Sequence, residues 1–174
     1  MSWIPPPPNV TDYYNFLVQQ IGVPVKDLPP LSEVVLNSTL GFVLDSEGRK
    51  IGNAGQDWVN NTLAVALAMV NSQLMAQAIM YNLAVYNYAA DRLINFAQDQ
   101  NGQTWFEKTR KDCQLNSQTV GVIASSFDQG TGQSILNPEQ MRMFTVTNLQ
   151  MLKTRPGQAY LGIAQSVGTL YGLS

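Results

Sequence analysis

The pattern of apolar positions is strongest in residues 58–90, a stretch that contains no charged side chain. Neither proline nor glycine occurs between Gln56 and Asn101. One helical face carries apolar residues at regular spacing, namely Leu63, Ala66, Leu67, Val70, Leu74, Ala78, Tyr81, Val85 and Ala89. The opposite side carries a second apolar strip of Val65, Met69, Ile79, Met80, Leu83 and Tyr86. The pattern predicts one central helix over residues 57–98, roughly 60 Å long.

A helix that is apolar around most of its circumference must be buried. A chain of 174 residues has little other material with which to bury a helix of this length. We therefore expect part of its cover to come from other copies of the chain. This expectation favours a structural subunit over a solitary enzyme.

Shorter helices are predicted before the central one. Thr11 can cap a helix over residues 12–21, and Gly22 can end it. Ser32 can cap a second helix that reaches towards Val43, although its β-branched residues leave a strand as the alternative.

Further helices are predicted after the central one. Thr104 and Glu107 have the spacing of a capping box for a short helix that ends near Cys113. A helix is also expected to begin at Pro138, which follows a capping asparagine, and a last one at Pro156. The predicted fold class is therefore all-α, with several shorter helices packed on one long helix.

The chain is predicted to form a single helical domain over residues 11–174, preceded by a proline-rich arm over residues 1–10. Four consecutive prolines, residues 5–8, follow Trp3 and Ile4. Such a run favours a stiff polyproline II segment. Two interpretations stay open: an extended arm that lies on a neighbouring subunit with Trp3 as its anchor, or a disordered terminus.

The composition excludes several classes of chemistry. The chain has no histidine and one cysteine, Cys113, so Ser–His–Asp and Cys–His catalysis and an intramolecular disulfide are excluded. No metal site or cofactor is expected. Charged residues make up 13%, against about 25% in typical domains. The net charge of -2 and the dispersed basic residues argue against a protein that grips nucleic-acid phosphates.

Three weaker sequence features would indicate other functions. Residues 127–134 include the glycine-rich Gly130–Ser134, but they lack the P-loop lysine and predict a flexible loop. Asp45 and Glu47 flank a turn and are the carboxylates on which an enzyme would have to rely. Residues 62–80 are the candidate for a membrane span, but amides interrupt them, so no membrane association is expected.

The candidate contacts between subunits are aromatic and charged residues. Tyrosine suits an interface because it buries area and keeps a polar tip. Asp91 and Arg92 are the first charges after the neutral stretch, and we predict that they contact other subunits or solvent rather than each other. The candidate interface residues are Trp3, Ile4, Tyr81, Tyr86, Tyr88, Asp91, Arg92, Tyr160 and Tyr171.

Two segments resemble a known family. MYNLAVYNYAADRLINFAQD (residues 80–99) and LQMLKTRPGQAYLGIAQSVGTLYGLS (residues 149–174), with VGVIASSFDQGT between them, are similar to small virion proteins of the head–tail region of tailed bacteriophages. The resemblance covers roughly the C-terminal half of the chain. No reaction, ligand or functional residue is attached to these segments.

The resemblance implies a head–tail adaptor, also called a connector. Such proteins are mainly helical, bind beneath the portal ring and copy its twelvefold symmetry. The expected partners are other copies of the chain in a ring, the portal protein and tail proteins, with DNA passing non-specifically through the channel. The expected location is the virion, assembled in the host cytoplasm, and another tail or capsid position is the alternative.

Overall fold

The computed structural model describes most of the chain: residues 6–40, 43–44, 50–51, 58–71, 74, 77–99, 102–115, 126–128, 131–133 and 150–167. This part is mainly α-helical. Its helices are α1 (Val10–Phe16), α2 (Leu31–Leu40), α3 (Trp58–Met69), α4 (Ala78–Phe96), α5 (Trp105–Asp112) and α6 (Arg155–Val167). The predicted all-α class, with one long helix on which shorter helices pack, is confirmed.

Shorter elements complete the described chain. A π-helical turn, Leu17–Ile21, continues α1, and a 3₁₀ turn, Val25–Asp27, follows it. Two small antiparallel hairpins pair β1 (Val43–Leu44) with β2 (Lys50–Ile51), and β3 (Ser126–Asp128) with β4 (Thr131–Gln133). The second hairpin corrects the prediction of a loop over residues 127–134.

The prediction of one continuous helix over residues 57–98 is wrong, because two helices cover this range. Helix α3 ends at Met69 and α4 begins at Ala78. The break contains tight turns, because Leu74 N–H donates to Asn71 O at 3.1 Å and Gln77 N–H donates to Leu74 O at 2.9 Å. Leu74 is itself buried and holds the connection against the core. The long helix is therefore α4 alone, with 19 residues.

Helices α3 and α4 form an antiparallel hairpin. Leu67, near the end of α3, lines one cavity together with Ala78 at the start of α4. Trp58, at the start of α3, lines another cavity with Leu93 near the end of α4. Residue numbers therefore rise along α4 as they fall along α3. The apolar stripe of each helix is buried against the other, which a continuous helix would not allow.

Helix α4 lies at the centre of the fold, and the chain itself buries most of it. Eleven of its 19 residues are buried, because residues of α1, α3, α5 and α6 form the hydrophobic core around it. The chain itself thus supplies most of the cover of α4 by folding α3 back, and the expectation that other copies cover part of the predicted helix stays a prediction. The core residues of α4 are Tyr81, Ala84, Val85, Tyr86, Tyr88, Ala89, Ala90, Leu93 and Ile94.

The N-cap of helix α1 lies two residues earlier than predicted. Asn9, not Thr11, is the N-cap, and its side-chain oxygen accepts from Asp12 N–H at 2.9 Å. The predicted end is confirmed, because Gly22 adopts φ 81° after the π-helical turn. This left-handed conformation favours glycine. Tyr13 and Leu17 then carry the helix into the core with no exposed surface.

Helices α4 and α5 cap each other across their connection. Arg110 of α5 donates to the backbone oxygens of Ile94, at 3.2 Å, and Ala97, where the last turn of α4 leaves its carbonyls without helical partners. Asp99 in turn accepts from the N–H groups of Phe106, at 3.0 Å, and Glu107, at 2.6 Å. Two opposite charges thus stabilise two adjacent helix ends.

The N-terminal cap of α5 differs from the one that the sequence predicted. Thr104 occupies the N-cap position but makes no side-chain cap hydrogen bond. We expect Asp99→Ala to lower the free energy of unfolding by about 1–2 kcal/mol, the usual cost of losing a helix cap. Thr104→Ala should change it by less than about 0.5 kcal/mol. Urea unfolding of both variants checks this, and an equal loss in the two would refute the assignment of Asp99 as the cap.

Candidate interaction surface

The seam between α4 and α6 contains a buried polar contact. Thr154, just before α6, donates its hydroxyl to Asp91 Oδ1 at 2.5 Å. The same hydroxyl oxygen accepts from Gly157 N–H at 3.0 Å, so Thr154 caps α6. Thr154 and Asp91 are 0% and 2% exposed. The contact therefore fixes the start of α6 to the middle of α4.

Asp91 has an internal role, which corrects its prediction as a contact with other subunits or solvent. Burial raises the pKa of its carboxyl group, because the charged form loses hydration. The Thr154 hydroxyl, the charge of Arg92 and the Asn95 side chain each lower it in part. A carboxyl group in this setting is a structural anchor between two helices of one chain.

Arg92, Tyr88 and Tyr160 meet at the same seam. Arg92 Nη2 donates to the Tyr88 hydroxyl at 3.1 Å, and its guanidinium carbon lies 5.1 Å from the centre of the Tyr88 ring. The rings of Tyr88 and Tyr160 meet edge to face with centroids 5.0 Å apart. Both tyrosines are buried, so their predicted role in contacts between subunits is corrected. Arg92 is half-buried and keeps part of its side chain at the surface.

Tyr86 and Tyr81 bind the N-terminal arm to α4. The Tyr86 hydroxyl accepts from Asn9 N–H at 3.2 Å, and its ring stacks on Tyr13 with centroids 5.9 Å apart. Tyr81 lines a cavity with residues 6–8, and Asn82 beside it donates to Pro6 O at 2.8 Å. Both tyrosines are buried inside the chain, another correction to the predicted interface. The described part of the arm lies on α4 of its own chain.

The other candidate interface residues are not placed. Trp3, Ile4 and Tyr171 lie outside the described residues, as do the carboxylates Asp45 and Glu47. Most of the helix predicted to begin at Pro138 also lies outside them, whereas the predicted last helix corresponds to α6.

The exposed apolar residues form a different surface. Three large side chains of α3 are well exposed: Val65 at 46%, Leu67 at 41% and Met69 at 60%. Ala64 and Ala68 are exposed beside them, and α3 contains no charged residue. We name these five residues the α3 outer face. On α4, Ile79 and Leu83 are also exposed, one helical turn apart.

The sequence contained a signal for this surface. The second apolar strip included Val65 and Met69, whereas Leu67 was assigned to the buried face. Because α3 folds onto α4, the apolar strip of α3 that faces α4 is buried, and its outer strip stays exposed to solvent. A surface helix whose outward side is apolar is unusual for a self-sufficient domain. The α3 outer face is therefore the candidate site for contact with another protein.

Candidate chemistry is limited in the part of the chain that the structure covers. No three His, Cys, Asp or Glu residues among the described positions lie close enough to hold a metal ion. Burial, followed by the nearby charge of Asp112, raises the pKa of the Cys113 thiol and keeps it protonated.

The segment considered as a membrane span is divided between two helices. Residues 62–69 belong to α3, and residues 78–80 to α4. None of the helices in the described ranges combines the length and hydropathy that a crossing of the bilayer requires.

Comparisons with known proteins identify no relative. No protein-family model matches the chain, and neither does a curated protein or a solved structure.

Two glycines of α6, Gly157 and Gly162, differ in how much space surrounds them. A Cβ at Gly157 would overlap Met151 O and lie 2.7 Å from Thr154 Oγ1, whereas Gly162 has no atom near that position. We expect Gly157→Ala to destabilise the fold by about 1–3 kcal/mol through steric overlap. Gly162→Ala should stabilise it by about 0.5–1 kcal/mol through helix propensity. Urea unfolding measures both, and effects of the same sign would contradict this geometry.

The Asp91 carboxyl group predicts a pH dependence. Its raised pKa means that the folded state holds the proton to a higher pH than the unfolded state does. Stability is therefore fully present below the unfolded pKa and is partly lost as pH rises to the folded pKa. Asp91→Asn removes this loss, so the variant should gain stability relative to the native chain as pH rises through that window.

Urea unfolding across an acid-to-neutral pH series measures this difference. Asp112→Asn is the control for removing one exposed carboxyl group. If the stability difference between Asp91→Asn and the native chain does not change with pH more than that of the control, the assignment is wrong.

Proposed function

We propose that this chain is a structural subunit that associates with copies of itself through the α3 outer face, and that it serves as a head–tail adaptor in a tailed bacteriophage. The observation that supports the assembly is the contrast between the two sides of α3. Its inner side is sealed against α4, and its outer side exposes Val65, Leu67 and Met69.

The energetic scale favours association. Complete burial of one such side chain stabilises by about 1.5–3 kcal/mol, so covering the part still exposed gives roughly 1 kcal/mol for each. The same surface occurs on every copy, and its contribution is repeated at every contact. Copies joined head to tail around an axis close into a ring.

The adaptor assignment is supported by the resemblance to virion proteins of the head–tail region. Its two main segments include α4 and α6, the helices that Asp91 and Thr154 join. The described parts of these two segments therefore pack against each other. The assignment rests on two observations. The sequence similarity suggests the virion of a tailed phage, and the α3 outer face offers a surface for contact with another subunit.

The proposed mechanism is mechanical. A ring, twelvefold if it copies the portal, extends the channel, binds the portal protein on one side and offers the other side to tail proteins. A chain with net charge -2 makes few contacts with DNA phosphates, which lets DNA pass non-specifically. The virion is then its location, and no cofactor takes part.

Association through α3 is tested with a double variant. We expect the native chain to form a ring, alone or with its portal protein, and Val65→Gln/Met69→Gln to stay monomeric because its outward face becomes polar. Both positions are exposed, so the fold should be retained. Val25→Gln is the matched control, because Val25 is as exposed as Met69, at 60%, but lies outside α3.

Light scattering coupled to size-exclusion chromatography measures the mass, and circular dichroism checks the fold. A native chain that stays monomeric with and without its portal protein would refute the ring. Electron microscopy of intact particles tests the position, since density below the portal supports the adaptor role and density elsewhere in the tail or capsid contradicts it.

A further inference from the structure

A second feature lies away from the α3 outer face. A cavity of about 190 Å³ opens where the 3₁₀ turn, the start of α3, the end of α4 and the start of α5 meet. Its walls combine apolar and polar residues. The apolar ones include Leu28, Trp58, Val59, Leu93 and Phe106, two of them aromatic, and the polar ones are Asp27, Gln98 and Gln103.

Asp27 is the exceptional residue of this cavity. Its side chain is 5% exposed, and Oδ1 has no hydrogen-bond partner among the described residues. No lysine or arginine of the described chain lines the cavity. A carboxylate removed from water without a paired charge is unfavourable, and buried charges in proteins are normally paired. Asp91, by contrast, has Thr154 as its partner.

We propose that this cavity binds a positively charged organic group, an ammonium or guanidinium on a short aliphatic stem, with Asp27 as its counter-ion. The carboxylate neutralises the charged head. The apolar walls remove the stem from water, and the aromatic side chains of Trp58 and Phe106 add surface that attracts a cation.

The size and the ligand set narrow the choice of occupant. Pockets for drug-sized molecules measure about 300–1,000 Å³, so this cavity suits one small amine or one long side chain. A hard divalent cation such as Ca²⁺ takes about six to eight oxygen ligands, and the side chains of Asp27, Gln98 and Gln103 offer fewer. The same ammonium chemistry can come from a free amine or from a lysine side chain of a partner protein.

The test uses the full-length chain and small probes. Butylammonium and the neutral 1-butanol have similar stems and differ in charge. Each is titrated into ¹⁵N-labelled protein, and the amide signals of Leu28, Val59 and Phe106 are followed by NMR. We expect butylammonium to give saturable shifts at these amides and to bind at least about tenfold more tightly than 1-butanol.

Two variants identify the counter-ion. Asp27→Asn keeps the size of the side chain and removes its charge, so it should weaken butylammonium binding by about tenfold or more. Glu107→Gln is the matched control, because this carboxylate of α5 is exposed and its ion pair among the described residues is with Lys111, at 3.4 Å. Equal binding of butylammonium and 1-butanol to the native chain overturns the proposal without any variant. So do the absence of saturable shifts and tighter binding of Ca²⁺.

The source of the group is identified with a third probe. A capped lysine, with acetyl and methylamide ends, presents the same head and stem from a peptide backbone. Tighter binding of the capped lysine than of butylammonium supports a protein side chain as the natural occupant. Tighter binding of butylammonium supports a free amine. A failure of ring assembly would leave these results unchanged, because the cavity and the α3 outer face share no residue.

Discussion

The fold depends on the need to bury α4 around nearly its whole circumference. Its middle, from Ala84 to Asp91, is buried without interruption. No single neighbour can cover such a helix, so the chain surrounds it with α1, α3 and α6 and closes its end with α5. The fold-back of α3 is the decisive step, because it brings the apolar stripe of a 12-residue helix alongside the 19 residues of α4. The break at residues 70–77 is the consequence of this packing.

Polar groups on α4 determine which neighbour lies where. Hydrophobic contact is not directional, and a nearly uniform apolar cylinder would accept several arrangements of its neighbours. The Tyr86 hydroxyl accepts a hydrogen bond from Asn9 N–H, and the Asp91 carboxylate accepts one from the Thr154 hydroxyl. Helices α1 and α6 therefore each have a fixed register on α4. A partnered polar group in a core favours one arrangement, since every other arrangement would leave it unsatisfied.

The sequence predicted those features of the fold that local interactions determine. Helical spacing indicated the fold class, Gly22 indicated the end of the first helix, and the last helix was found through Pro156. The break between α3 and α4 was missed because no proline or glycine marks it, and tertiary packing alone decides it. The cap of α5 was missed because Asp99 reaches it from seven residues before Phe106.

Four of the candidate contact residues, Tyr81, Tyr86, Tyr88 and Tyr160, are buried for a related reason: tyrosine suits a core with polar anchor points as well as it suits an interface. Two of the interactions that self-burial leaves incomplete are the apolar outward side of α3 and the carboxylate of Asp27; Arg92 Nε also lacks a hydrogen-bond partner among the described residues. The chain partners Asp91 and seals the inner side of α3, so its sequence has the means to complete such contacts. Features that oppose stability in an otherwise consistent fold are expected where binding replaces the missing partner. One needs an apolar surface and the other a cation, so they act independently.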